Sequence, residues 1–170
     1  RLANLSDDEL GLVTVMNNRL TLHQGPNSEA ESFYDGTHVA QNFGISTPPR
    51  MSHLRTVAGW GGTVVDVLEE RLDWLGWTSE LDDFGLDEVY AENQLDVDSG
   101  MAHLDALIFG ISFVTVGAGY DGEPSPLITP HSPKSLTVQW DRRTRRASAA
   151  LAVVEEDGRT VEATLYLPHE

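Results

Sequence analysis

Apolar residues first recur at helical spacing near the start of the chain. Leu10, Val13, Met16 and Leu20 stand three and four apart, which puts them on one face of a helix. Ser6-Asp7-Asp8-Glu9 precedes them in the form of a capping box, the Ser6 hydroxyl accepting from the Glu9 amide while the Glu9 carboxylate reaches back. A helix is expected to start there. Gly25-Pro26 is expected to interrupt it, since proline lacks the amide a helix interior needs. A second short helix then runs from Asn27 through "SEAESFYDG" and stops at Gly36. After "FGISTPPR", where Pro48 and Pro49 disfavour helix immediately upstream, the strongest helical pattern follows: Leu54, Val57, Ala58, Gly61, Val64, Val65, Leu68, Leu72 and Leu75. Gly59, Gly61 and Gly62 each cost such a helix about 1 kcal/mol relative to alanine, so close backbone packing against a neighbour is expected to compensate. Gly76 is expected to end it. Two further helices are read at Leu86 to Asn93 and Asp98 to Phe109.

From Ile111 the period changes. "ISFVTV", "PLIT", "SLTVQW", "ASAALAVV" and "TVEATLYL" read as strands, joined by "GAGYDGEPS", "PHSPK", "DRRTRR" and "EEDGR", with Asp157-Gly158 as a hairpin turn signal. N-terminal helices followed by an antiparallel β meander make the fold class α+β.

Composition changes this picture in three ways. The 170 residues, 40% hydrophobic, suffice for one domain with a core, or for a core plus an arm. The absence of cysteine excludes a disulfide scaffold and a thiolate zinc site. No apolar run approaches a membrane span, and "RLANLSDDEL" lacks the basic and apolar regions of a signal peptide. A start at Arg1 and a stop in the strand-like "ATLYLPHE" lead us to expect a segment of a longer protein.

Charge is unevenly placed. The net charge is −16, and Asp66 to Asp98 holds twelve acids and one base, Arg71, a stretch that repels nucleic acid. Its opposite is "DRRTRR", where Arg142, Arg143, Arg145 and Arg146 crowd one predicted hairpin tip, read as solvated rather than phosphate-binding.

The search for chemistry returns little. Gly117, Gly119 and Gly122 have the G-x-G-x-x-G spacing after a strand-like run, which admits a nucleotide-binding enzyme domain as an alternative reading. That fingerprint requires a helix N-terminus directly afterwards, whereas Pro124 and Pro126 stand where the helix should open. A strand-connecting turn with its tip at Gly119 to Gly122 is therefore expected. The histidines at 23, 38, 53, 103, 131 and 169 never pair at i, i+3 or i, i+4, so no helix offers two imidazoles to one metal. "DVDSG", Asp96 to Gly100, begins like a calcium loop but has its glycine one position early and Leu107 at the twelfth position; a helix cap is expected instead. Glu69-Glu70 and Asp82-Asp83 are adjacent acids, which point apart on a helix and are solvated in loops. No catalytic, cofactor-binding or metal-ligating set is assigned. Trp60, Trp74 and Trp77 read as packing anchors, or as interface residues, since tryptophan is enriched at buried protein contacts.

Four separated blocks carry a family resemblance: "FYDGTHVAQNFGISTPP", "RTVAGWGGTVVDVLEERLDWLGW", "LDEVYAENQLDVDSGMAHLDALIFGISFVTVGAG" and "LITPHSPKSLTVQWDRRTRRASAALAV". In this order they resemble the N-terminal part of portal proteins of long-tailed, siphovirus-type bacteriophages, particularly those infecting actinobacteria. The matching positions are Tyr34, Gly36, Glu70 to Leu72, Asn93, Leu95, Asp96, Ser99, Ala102 to Leu107, Gly110, Ser132 and Pro133, and the likeness runs from about Ser6 to the end. "HQGPN", residues 23 to 27, departs from the family by breaking what is often a more continuous first helix.

The resemblance implies a structural, non-enzymatic protein without cofactors. It forms a homo-oligomeric ring, usually a dodecamer, at one capsid vertex of the virion, assembled in the host cytoplasm. It implies the terminase large subunit, the major capsid protein and the head-tail connector as partners in DNA packaging, ejection and head-tail joining. Double-stranded DNA would pass through the ring's channel without being bound by this segment. Residues 1–36 would be an N-terminal helical arm and 37–170 the α+β wing, with stem, clip and crown outside these 170 residues. The interface residues expected are Trp60, Trp74, Trp77, Arg142, Arg143, Arg145 and Arg146.

Overall fold

The computed structural model describes residues 5–38, 59–78, 80, 84–156 and 159–167. Four helices come first, α1 (Asp7–Tyr34), α2 (Trp60–Glu69), α3 (Leu86–Glu92) and α4 (Leu95–Phe109). Five strands follow, β1 (Phe113–Gly117), β2 (Leu127–His131), β3 (Leu136–Asp141), β4 (Arg146–Glu156) and β5 (Arg159–Tyr166). The class is α+β, as expected. The expectations for "FGISTPPR", for Leu54, Val57 and Ala58, for Asp82-Asp83 and for the Asp157-Gly158 turn, like His53 and His169, lie outside the described residues.

The capping box forms. The Glu9 amide donates to Ser6 Oγ at 3.3 Å and the Ser6 amide to Glu9 Oε2 at 2.7 Å, opening α1 where the sequence places it. The expected break at Gly25-Pro26 does not occur: α1 is one helix of 28 residues with Pro26 inside it. An interior proline costs about 3 kcal/mol, but both halves of α1 are anchored to the same body. Met16 and Leu20 sink into the main core, Asn27 Nδ2 donates to the Pro133 carbonyl at 3.2 Å, and Lys134 Nζ meets Glu31 at 2.7 Å. Gly36 follows the helix end with φ +64°, consistent with the expected stop.

The main core lies between α1 and the three-stranded antiparallel sheet β3-β4-β5. Ala149, Leu151 and Val153 alternate along β4, so all three face one side, where they meet Met16 and Leu20. The register Leu151↔Leu165 and Val153↔Ala163 brings β5 onto the same face. Each large apolar side chain buried here contributes about 1.5–3 kcal/mol. Arg19 locks the helix to the strand below, donating to the Val138 carbonyl at 2.8 Å and to Gln139 Oε1 at 2.9 Å.

The meander does not stay in one sheet. β1 and β2 form a separate two-stranded ladder, with Val114↔Pro130 and Val116↔Ile128 in register, and two strands are marginal alone in water. The α3–α4 junction holds them. Asn93, 7% exposed, accepts from the Ile128 amide at 2.8 Å and donates to the carbonyls of Pro126 and Val89 at 3.0 and 2.9 Å. Gln94, next in chain, takes a left-handed φ of +51° and makes the sharp turn into α4. That helix begins at Leu95, three residues before the expected start, so Asp96 and Asp98 occupy its first turn rather than its cap, where acids suit the helix dipole.

The glycines of α2 fit the compensation expected for two of three. A Cβ on Gly61 would strike the Phe33 carbonyl, and one on Gly62 would come within 2.8 Å of the Tyr34 carbonyl oxygen, whereas Gly59 meets nothing. The end of α1 thus abuts the first turn of α2. The helix stops at Glu69 instead of running to Gly76. Beyond it Trp74 and Trp77 are drawn onto Tyr90 of α3, with Trp74–Trp77 ring centroids 4.9 Å and Trp74–Tyr90 centroids 5.6 Å apart, both edge to face. Continuing the helix would forfeit that packing.

Two outcomes follow. Asn93→Ala leaves the Ile128 amide and the Pro126 carbonyl unpaired, so chemical denaturation is expected to show a loss of about 2–4 kcal/mol, and Asn93→Asp, which keeps the acceptor but sets a buried carboxylate against the Pro126 and Val89 carbonyls, is expected to lose at least as much at neutral pH. Asp105 of α4 has its carboxyl raised above the ordinary range, chiefly by burial, while the Ser132 hydroxyl at 3.4 Å and the Lys134 charge pull it back. A raised folded-state carboxyl opposes folding where it is ionised and is relieved as pH falls through its folded value. Asp105→Asn should therefore raise the thermal midpoint at neutral pH, and the two proteins should converge as pH approaches the unfolded Asp value of about 3.9.

Candidate assembly surfaces

The Gly117–Gly122 segment is a turn between antiparallel strands. β1 ends at Gly117, Gly122 takes a φ of +92°, and β2 begins at Leu127. The Tyr120 amide donates to Glu123 Oε2 at 2.9 Å, and a Cβ on Gly119 would strike the Pro124 carbonyl. No helix N-terminus follows, so the backbone donors and dipole that a pyrophosphate needs are missing. The nucleotide-binding alternative is set aside on this geometry.

The described histidines stand apart. His131 lies beside Thr115, Oγ1 to Nε2 at 3.0 Å, with its pKa pushed down by burial. His38 stacks on Phe33 at a centroid distance of 3.9 Å. Among the described residues no three His, Asp or Glu side chains converge as a metal-holding group.

The "DRRTRR" hairpin is built by its first residue. Asp141 accepts from the Arg143 amide at 2.8 Å and from the Thr144 hydroxyl at 2.8 Å. These bonds, the hydroxyl foremost, hold its carboxyl below the ordinary range. With Asp141 turned inward to the loop, Arg142, Arg143, Arg145 and Arg146 all stand exposed, Arg146 as the first residue of β4. Trp140 precedes them, 55% exposed. The sequence reading passed over this tryptophan. Trp140 lines one cavity with Leu136, Val138 and Ala147, the register shift placing its extra residue, Ser148, on β4, and it stands exposed because it lies at the hairpin end of β3.

The other three tryptophans divide. Trp74 and Trp77 are half-buried; Trp74 Nε1 donates to the Gly76 carbonyl at 2.9 Å and Tyr90 donates to the Trp74 carbonyl at 2.5 Å. They wall a cleft of about 420 Å³ against Val114, Val116, Ile128 and Pro130, where His103 Nδ1 and Ser112 Oγ are buried without hydrogen-bond partners. Trp60 is 77% exposed at the start of α2, above Val64, Val67 and Leu68, which are 58%, 44% and 47% exposed. This helix carries part of the strongest helical apolar pattern in the sequence, yet its outer stripe faces solvent. Glu70 flanks it and is exposed, while Asp66, also exposed, lies round toward α1, where its Oδ1 accepts from the Tyr34 hydroxyl at 2.9 Å; exposed Asp73 follows in the chain. The described residues offer one basic tip with exposed Trp140 at its base and one exposed apolar helix face flanked by Glu70.

No family model matches the chain. It is 29% identical over 152 residues to the portal protein of Mycobacterium phage L5 and 28% identical over 152 residues to the portal protein of Mycobacterium phage D29. Each alignment covers 82% of this chain and 31% of the relative, so the chain spans about a third of the length of these curated relatives. Some of the positions quoted for the resemblance meet in space, Asp105 touching Ser132 and Asn93 bridging to β2. The chain is similar to a segment of actinobacteriophage portal proteins.

Proposed function

We propose that the chain is the wing region of a phage portal, a structural element of a ring at one vertex of the capsid. On this reading its function is assembly geometry rather than catalysis. Residues 1–36 act as a helical arm and 37–170 as the wing, while the channel-lining parts belong to other regions of the protein. The ring, dodecameric by family resemblance, passes double-stranded DNA during packaging and ejection. It engages the terminase large subunit, the capsid protein and the head-tail connector in the virion. One observation carries the reading: the likeness to two portal proteins spans 82% of the chain. The fold supports it, since apolar side chains such as Trp60, Val64 and Trp140 stand exposed on separate elements, as suits a subunit that buries them on neighbours.

Full-length protein should form closed rings, visible by negative-stain microscopy and as one high-mass species by light scattering. A strictly monomeric or dimeric protein across a wide concentration range would overturn the proposal.

Residues 1–170 should not hold the DNA. Four exposed arginines neutralise about four phosphates, and affinity from so few contacts is largely lost at physiological salt, more so beside twelve acids between Asp66 and Asp98. Fluorescence anisotropy with a labelled duplex across a salt series should show no measurable binding at physiological ionic strength. Tight binding with a steep salt slope, abolished when Arg142, Arg143, Arg145 and Arg146 become serine, would mean that the hairpin is a DNA contact.

A further inference from the structure

We infer that the exposed face of α2 receives the arginine-tipped β3–β4 hairpin of a second copy of this chain. The inference rests on the ring reading above and names the two surfaces that would meet. At 100° per residue Trp60, Val64, Val67 and Leu68 share one side of α2 and Gly62 and Val65 lie on the other, with Gly61 next to Leu68; both glycines press on the end of α1. Glu70 flanks the stripe on its Val67 side, whereas Asp66 lies round toward Gly62 and meets Tyr34. Asp73 lies just beyond the helix.

The hairpin is its complement in charge and composition. Arg142, Arg143, Arg145 and Arg146 are exposed beside Trp140, and tryptophan and arginine are the residue types that most often dominate interface energies. Guanidinium groups pair with carboxylates in two-point geometry, and exposed Glu70 flanks an apolar surface onto which an indole can pack. Opposed charge steers such an approach and fixes its orientation.

The two surfaces cannot meet within one copy. Arg19 holds Val138 and Gln139, whereas the residues pressing on α2 are Phe33 and Tyr34. Between Arg19 and Tyr34 α1 runs unbroken for about 22 Å at 1.5 Å per residue. The chain runs back along α1 from Pro133 beside Asn27 into β3, where Val138 meets Arg19, so the tip lies still farther from α2. Different patches at opposite ends of a subunit make a head-to-tail contact, the kind that closes into a ring when the rotation permits.

The test is charge reversal in the full-length protein, read by light scattering with circular dichroism as the control for folding. One variant carries Arg142→Glu, Arg143→Glu and Arg146→Glu, leaving Arg145 in its left-handed conformation. A second carries Glu70→Lys and Asp73→Lys, and a third combines all five exchanges at these exposed positions. Each single-surface variant is expected to need roughly tenfold or more higher concentration to form rings, and the combined variant to recover. Normal rings from the tip variant would overturn the inference while leaving the ring reading intact. If those rings also fail to join capsid protein, the tip belongs to that contact. Failure of the combined variant to recover would overturn the pairing of these two surfaces. Absence of rings from the wild type would overturn the ring reading and this inference with it.

Discussion

The two-stranded ladder of β1 and β2 depends on one buried amide. Such a ladder has too few partners to stand alone, and Asn93 supplies what is missing by accepting from Ile128 and donating to Pro126. The same side chain donates to Val89 within its own helix, so one residue ties the α3–α4 junction to the strand it supports. A polar group in that position is costly unless every bond is made. Here they are made, and the left-handed turn at Gln94 is held against its own strain. Trp74 and Trp77 then approach the apolar face of the ladder.

The second organising element is α1. It joins the three-stranded sheet at one end to α2 at the other, through Met16 and Leu20 in the core and through the carbonyls of Phe33 and Tyr34 against Gly61 and Gly62. Because the helix is continuous it sets a distance, and that distance separates the acidic apolar face of α2 from the basic tip of β3–β4. A break at Pro26 would have left the two ends free to fold toward each other. Anchoring of both halves outweighs the lost hydrogen bond, and separation of the charged surfaces follows.

Several polar and charged groups organise the backbone and its packing. Asp141 shapes a turn, Glu9 caps a helix, Asp66 takes the Tyr34 hydroxyl and Asp105 meets Ser132. The proposed role asks for such a molecule, with rigid local junctions and with apolar and charged patches turned outward. A net charge of −16 suits a surface that duplex DNA slides past or that faces other protein.

Much of the fold was legible in local patterns because those patterns are physically local. The capping box at Ser6 and Glu9, the five strands and the glycine turn between β1 and β2 each depend on residues within a few positions of one another. The close approach at Gly61 and Gly62 was also legible, as a need for compensation. Tertiary packing decided the rest. Continuity through Pro26 required anchors more than a hundred residues away, at Pro133 and Lys134. The early end of α2 reflects the pull of Tyr90 on Trp74 and Trp77, and the division of the meander into two sheets reflects Asn93. Periodicity marks a face as apolar without saying what covers it, and the stripe of α2 stands exposed in the fold. Trp140 lines the same cavity as Leu136 and Val138 yet stands exposed, because it lies at the hairpin end of β3 where less packs on it, and alternation along a strand does not record that.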